Sequence, residues 1–187
     1  MFTQIPRIGF ACKWTDHTAK GMVADPLLNN KTTTVAWLKR QSRDVAEQKL
    51  WDLMDHNLSA LYRLVERVGG LDHHLRMVRL GSDVLPVYTE PNFGYYYRDS
   101  SIRSHCERRF AQIGQLAADL DVRLSFHPGQ FCVLASDKPD VVDRSIEEFE
   151  YYVDMARWMG YGKTFQDFKI NVRIVGRAGP QGIRAAY

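Results

Sequence analysis

A histidine, a Pro-Gly turn, an amide and an aromatic ring follow one another in the run Ser125, Phe126, His127, Pro128, Gly129, Gln130, Phe131. No other stretch of the sequence is as well equipped for chemistry. Residues 122–126 read as a short apolar-rich strand, so His127 falls where that strand ends. In parallel α/β folds the reactive groups gather at that end. An imidazole there is placed to ligate a metal or to move a proton. Gln130 and Phe131 make a tip, polar beside flat, suited to entering a stacked structure. A plain strand-to-helix turn, with the histidine bonded to a backbone carbonyl, accounts for the same residues as well, and both readings stay open on these residues alone.

The elements that must position this turn alternate as strand and helix, which argues for a parallel sheet. A first strand is expected over 5–10, followed by a long polar connection containing Asn29, Asn30, Thr32, Thr33 and Thr34. Connections of that length are usually functional. Asp44 and Glu47 have capping-box spacing, and Leu50, Leu53, Met54, Leu58, Leu61, Leu64, Val65 and Val68 then recur at helical intervals up to Gly69 and Gly70. A second strand over 77–80 ends in the turn Gly81, Ser82, Asp83. The aromatic segment 93–98 fits neither period and is expected as a loop covering the top of the fold. Ser100 or Ser101 is expected to cap a helix bearing Ile102, Cys106, Phe110, Ile113, Ala117 and Leu120. A third helix carries Val142, Ile146, Phe149, Val153 and Ala156 up to Gly160, with Asp140 and Asp143 near its positive end. A fourth strand is expected over 169–175.

Several polar residues have modest expected roles. Asn57 lies on the apolar face of the first helix, where a buried amide bonded to a loop is expected. Arg79 and Asp83 are expected to pair across the end of the second strand. His73 and His74 precede that strand, on the opposite rim, and are expected to be solvated; His17, His56 and His105 are expected to be structural or exposed.

Composition narrows the class. With 45% hydrophobic and 25% charged residues, the chain reads as one globular domain over 1–187, and no apolar run reaches the length of a membrane span. The start of the sequence lacks a signal-peptide core. Three cysteines, Cys12, Cys106 and Cys132, lie far apart and suggest neither a zinc knuckle nor a disulfide framework, so a reducing, cytoplasmic setting is expected. A net charge of +3 permits a polyanionic partner without singling one out.

The sequence also resembles the N-terminal half or more of the ultraviolet damage endonuclease family. The resemblance is carried by Arg7 to Cys12, Thr32 to Thr34, Asn57 and Leu58, the run Arg79, Leu80, Gly81, Ser82, Asp83, Val84, Leu85, Pro86, and above all Ser125 to Phe131. It continues through Val141, Val142, Ser145, Ile146, Glu148 and Gly160 to Asn171 and the closing Gly179, Pro180, Gly182, Ile183, Arg184. It implies a TIM-like (β/α) barrel that nicks duplex DNA on the 5′ side of ultraviolet photoproducts and other helix-distorting lesions, with a cluster of divalent metals, commonly manganese. His127 matches a family metal ligand. Gln130 and Phe131 match the pair that wedges into the duplex opposite the lesion.

About four βα units are expected here, so the barrel is expected to be incomplete, the N-terminal portion of a larger one or completed by a second chain. The sequence departs from the family pattern where Arg173 stands in place of a second metal-binding histidine. A guanidinium cannot ligate a metal, though it can grip phosphate. Phe10, Lys13 and Trp14 also replace the usual residues of the lesion pocket, which is expected to be altered, with Lys13 and Arg173 as candidate DNA-phosphate contacts. Two alternatives stand beside the repair endonuclease: a catalytically incomplete fragment that only binds damaged DNA, and another metal-dependent barrel enzyme such as a sugar isomerase.

Overall fold

The computed structural model describes residues 6–129, 132–164 and 167–171 of the chain. Four parallel strands form its main sheet in the spatial order β1 (Phe10–Ala11), β4 (Met77–Leu80), β5 (Arg123–Phe126), β6 (Lys169–Ile170). A separate antiparallel hairpin, β2 (Thr15–Thr18) and β3 (Gly21–Ala24), follows β1. Four α-helices, α1 (Val35–Leu38), α2 (Arg43–Gly69), α3 (Ser100–Asp119) and α4 (Pro139–Trp158), and two short 3-10 turns, His73–Leu75 and Gly94–Arg98, complete the described elements.

Because the parallel strands lie side by side in chain order, right-handed crossovers put every connecting helix on the same face. That is the winding of a (β/α) barrel; a doubly wound sheet would reverse its order partway. Burial agrees. Val78, Leu80, Leu124 and Phe126 join one buried cluster with Leu61 and Val65 of α2, Phe110 and Ile113 of α3, and Tyr152 and Met155 of α4. Each fully buried apolar side chain of this kind contributes about 1.5–3 kcal/mol. Gly114 permits the closest helix contact: a Cβ there would lie 1.9 Å from the Met159 carbonyl oxygen, so α3 and α4 meet only because that position has no side chain.

Several local expectations are corrected. Among the described residues, strand pairing begins at Phe10. Pro6 has no N–H to give a ladder, Ile8 N donates to His74 O at 2.8 Å, ahead of β4, and Ile8 is 69% exposed; residue 5 lies outside the described residues. The polar connection after β1 is partly folded. Thr18 Oγ1 accepts from Lys20 N and donates to Gly21 O, closing the β2–β3 turn, where Gly21 takes a φ of 99°. The N-cap of α2 is Ser42, whose hydroxyl accepts from Val45 N, and Glu47 instead accepts from Arg43 and from the Tyr95 hydroxyl. Asp99 caps α3 in place of Ser100 or Ser101, its carboxylate accepting from Ser101 N at 2.9 Å and Ile102 N at 3.2 Å. The aromatic segment forms a short 3-10 turn, Gly94–Arg98, with Tyr96 and Tyr97 buried. Of the expected fourth strand, only Lys169–Ile170 is seen, because residues 172–175 lie outside the described set. No helix among the described residues is long and apolar enough to cross a membrane.

Candidate functional site

The first turn at the C-terminal rim begins at the end of β5. His127 N donates to Leu80 O at 2.9 Å, so the sheet ladder runs right up to the histidine and fixes its backbone. Arg79 projects from β4 on the face away from the helices, and its Nη1 lies 3.5 Å from His127 Nδ1. A guanidinium can only donate, so Nδ1 is the acceptor in this long contact. Arg79 is therefore turned toward the histidine, and the expected Arg79–Asp83 ion pair does not form.

Asp83 has a different partner. Asn30 Nδ2 donates to Asp83 Oδ1 at 3.1 Å, and Gly81 is packed so closely between them that a Cβ would lie 3.0 Å from the same carboxylate oxygen. Cys12 stands at the same junction with a left-handed φ of 67°, and its N–H donates to Arg79 O. Burial raises the Cys12 thiol pKa and nearby Asp83 raises it further, against smaller opposing effects of Arg79 and Lys13. The β1 and β4 turns thus bring Cys12, Lys13, Asn30, Arg79 and Asp83 together beside His127.

Buried amides hold these turns. Asn57, in the apolar stripe of α2, accepts from Lys31 N at 2.7 Å and donates to Lys31 O, Asp83 O and Val84 O. This is the loop-bonded amide expected from its position. Asn29 had no such signal. Its side chain accepts from Trp14 N at 2.8 Å and donates to Trp14 O and Asp25 O, clamping the base of the β2–β3 hairpin. Only the meeting of residues 15 apart reveals that role.

Phe10 and Trp14, the residues of the expected lesion pocket, pack edge to face at 5.3 Å. Both lie against the helix-side core, and Arg67 covers the Trp14 ring at 5.4 Å. Lys13 is exposed next to them. Gln130, Phe131 and Arg173 lie outside the described residues.

The flanks of 130–131 are tied to α4. Gly129 N donates to the Tyr152 hydroxyl at 3.3 Å, Cys132 N to Gly129 O, and Val133 N to Ser145 Oγ. Tyr152 OH and Thr89 Oγ1 both donate to Glu148, each at 2.8 Å. Burial, then the neighbouring Glu148, pushes the Cys132 thiol up to about 11. A cleft of about 600 Å³ opens here between Thr89, Cys132, Val133, Arg144 and Glu148.

The remaining histidines lie elsewhere. His17 is exposed on β2. His56 bonds Asn29 O, and His105 packs tilted against Trp51 at 4.9 Å. His73 is not simply solvated: on the opposite rim, its Nε2 lies 2.6 Å from Asp121 Oδ2, which Arg7 also holds at 2.6 Å. Among the described residues, no group of three or more His, Cys, Asp or Glu side chains is arranged to hold a metal ion. His127 is thus one donor, and the described residues do not make a metal site by themselves.

The family model of the UV-endonuclease UvdE matches residues 6–186. A UV DNA damage endonuclease of Bacillus anthracis (strain A0248) is 27% identical over 149 residues, covering 80% of this chain and 44% of that protein. A UV DNA damage endonuclease of Bacillus mycoides (strain KBAB4) is 28% identical over the same length and coverage. The chain therefore spans about half the length of the curated relatives it matches. The crystal structure of SacUVDE superposes with a TM-score of 0.64 at 24% identity, covering 88% of this chain and 48% of that one, which is a likeness of fold.

Proposed function

The chain belongs to the UV-endonuclease UvdE family, and from that premise we propose that it acts in the repair of ultraviolet-damaged DNA by nicking the duplex 5′ to photoproducts and other distorting lesions. The observation that carries this reading is the position of His127 at the C-terminal end of β5, two residues ahead of Gly129, which like Val133 is anchored to α4.

In this reading Gln130 and Phe131 enter the stack opposite the lesion and fill the space left when the damaged nucleotides turn out. Photoproducts stack and pair poorly, so their extrusion costs less than that of normal bases. Damage is thereby selected without reading sequence. Lys13 and Arg173 contact DNA phosphate. His127 offers a neutral ring nitrogen as one ligand of a divalent metal, for which manganese is the family expectation; further donors must come from outside the described residues.

Purified chain incubated with ultraviolet-irradiated supercoiled plasmid and manganese should yield open circles that are absent from the unirradiated control. The sequence departure at Arg173, a guanidinium that cannot ligate a metal where the family has a histidine, favours one second reading, in which this chain binds damaged duplex and does not cut it. Retarded irradiated duplex in a gel shift, with plasmid left supercoiled, would select that reading. Equal treatment of irradiated and intact DNA in both assays would dismiss the two together.

A further inference from the structure

The face of the sheet that turns away from the helices is polar and cationic, where the interior of such a barrel is ordinarily filled by branched apolar side chains. Strand register fixes its membership. Val78, Leu80, Leu124 and Phe126 face the helices, and side chains alternate along a strand. The opposite face therefore carries Ala11, Met77, Arg79, Arg123, Ser125 and Lys169. Three of these six are cations and none is acidic.

Arg79 is in register with Ser125, and Ser125 with Lys169, so the two cations stand in one row, two strands apart with a small hydroxyl between them. At the usual strand spacing their Cα atoms are roughly 10 Å apart. Two long side chains can converge on one tetrahedral anion across that gap. Both are reachable from solvent, Arg79 half-buried and Lys169 exposed. Among the described residues no carboxylate lies within ion-pair distance of either, although eight such pairs occur elsewhere. Like charges aligned in one row repel one another and favour an anion between them. Arg79 is already turned to the rim, toward His127.

We propose that Arg79 and Lys169 form a phosphodiester-binding row that seats the DNA backbone inside the mouth, next to His127. This deepens, and rests on, the reading of the chain as a DNA repair protein. Arg79 supplies a planar fork that matches phosphate oxygens, and Lys169 a second point charge from the far side.

The test measures binding of a fluorescein-labelled duplex carrying one pyrimidine photoproduct, and of the same duplex undamaged, by anisotropy across a KCl series in EDTA. Each phosphate contact contributes about 0.9 to the slope of log affinity against log salt. Arg79→Gln and Lys169→Gln should each flatten that slope by roughly this amount on both duplexes, with the damaged-to-intact ratio unchanged. Lys169→Arg should restore the slope. Arg123→Gln, on the same face at the opposite rim, should keep it. Wild-type slopes in natively folded Arg79→Gln and Lys169→Gln would overturn the row, as would equal flattening by Arg123→Gln or failure of the wild type to bind either duplex. Equal wild-type affinity for the two duplexes would instead reject the repair reading, while the slopes still decide the row.

Discussion

At the scale of single residues, the site depends on amides as much as on His127. Asn57 is fully buried and serves one amide N–H and three carbonyls of the loops leading to Asp83 and Val84. Removing it strands those groups, and a buried unsatisfied polar group costs about 1–3 kcal/mol. Asn57→Ala should therefore lower unfolding free energy by about 3 kcal/mol in urea melts. Gln130 carries a different expectation. If it fills the stack opposite a lesion, Gln130→Ala should leave affinity for intact duplex unchanged and reduce preference for irradiated duplex several-fold, on the order of ten-fold, in a competition gel shift; unaltered preference would remove the amide from the proposed wedge. His127 is legible in sequence because its neighbours are a strand and a Pro-Gly turn. Asn29 is not, since its partners Trp14 and Asp25 are set by how the hairpin base folds back.

At the scale of elements, the caps separate competing assignments sharply. Asp99 accepts from the Ser101 hydroxyl and from two backbone N–H groups at the start of α3, and those bonds, the hydroxyl's first, hold its carboxyl below the usual range. Asp99→Ala should cost about 1 kcal/mol, while Ser100→Ala should stay within about 0.5 kcal/mol, both read from thermal melts. Gly114→Ala is the severe change. A methyl group 1.9 Å from the Met159 carbonyl must push α4 from α3, so a loss of about 3 kcal/mol or more is expected, along with loosening of Gly129 and Val133, which α4 anchors. The long helices were readable because their apolar stripes repeat at the period of the helix. The β2–β3 hairpin was not, because it buries no face: all four residues of β3 are exposed, with Met22 at 64%, so the alternation that marks a strand never developed.

For the molecule as a whole, acid stability follows from carboxyls held low at its ends and caps. Asp121 is lowered chiefly by its bond from Arg7, then by His73, and Asp99 by Ser101 and the helix N-terminus. A carboxyl with a depressed folded pKa takes up protons in the unfolded chain first, so its contribution is complete above the ordinary value near 4 and is lost as pH falls through the folded value. Through these carboxyls, melting temperature should fall below about pH 4. Asp121→Asn should start lower at pH 6 and show a shallower acid limb in a pH series of thermal melts.

The alternation of strands and helices, the faces those helices bury, and the placing of His127 after a strand are legible in the order of residues alone, since each follows from short-range period and turn chemistry. That order also carried the family, through runs such as Arg79 to Pro86 and Ser125 to Phe131. Which polar groups meet emerges from the folded chain: Arg79 with His127 and not with Asp83, Asn30 with Asp83, Asn29 with Trp14, and Arg79 in one row with Lys169. The reason is physical. Burial and period act along a few neighbouring residues, whereas a hydrogen bond or a charge row needs atoms brought within a few ångströms by strand register, and register is fixed only when the sheet assembles.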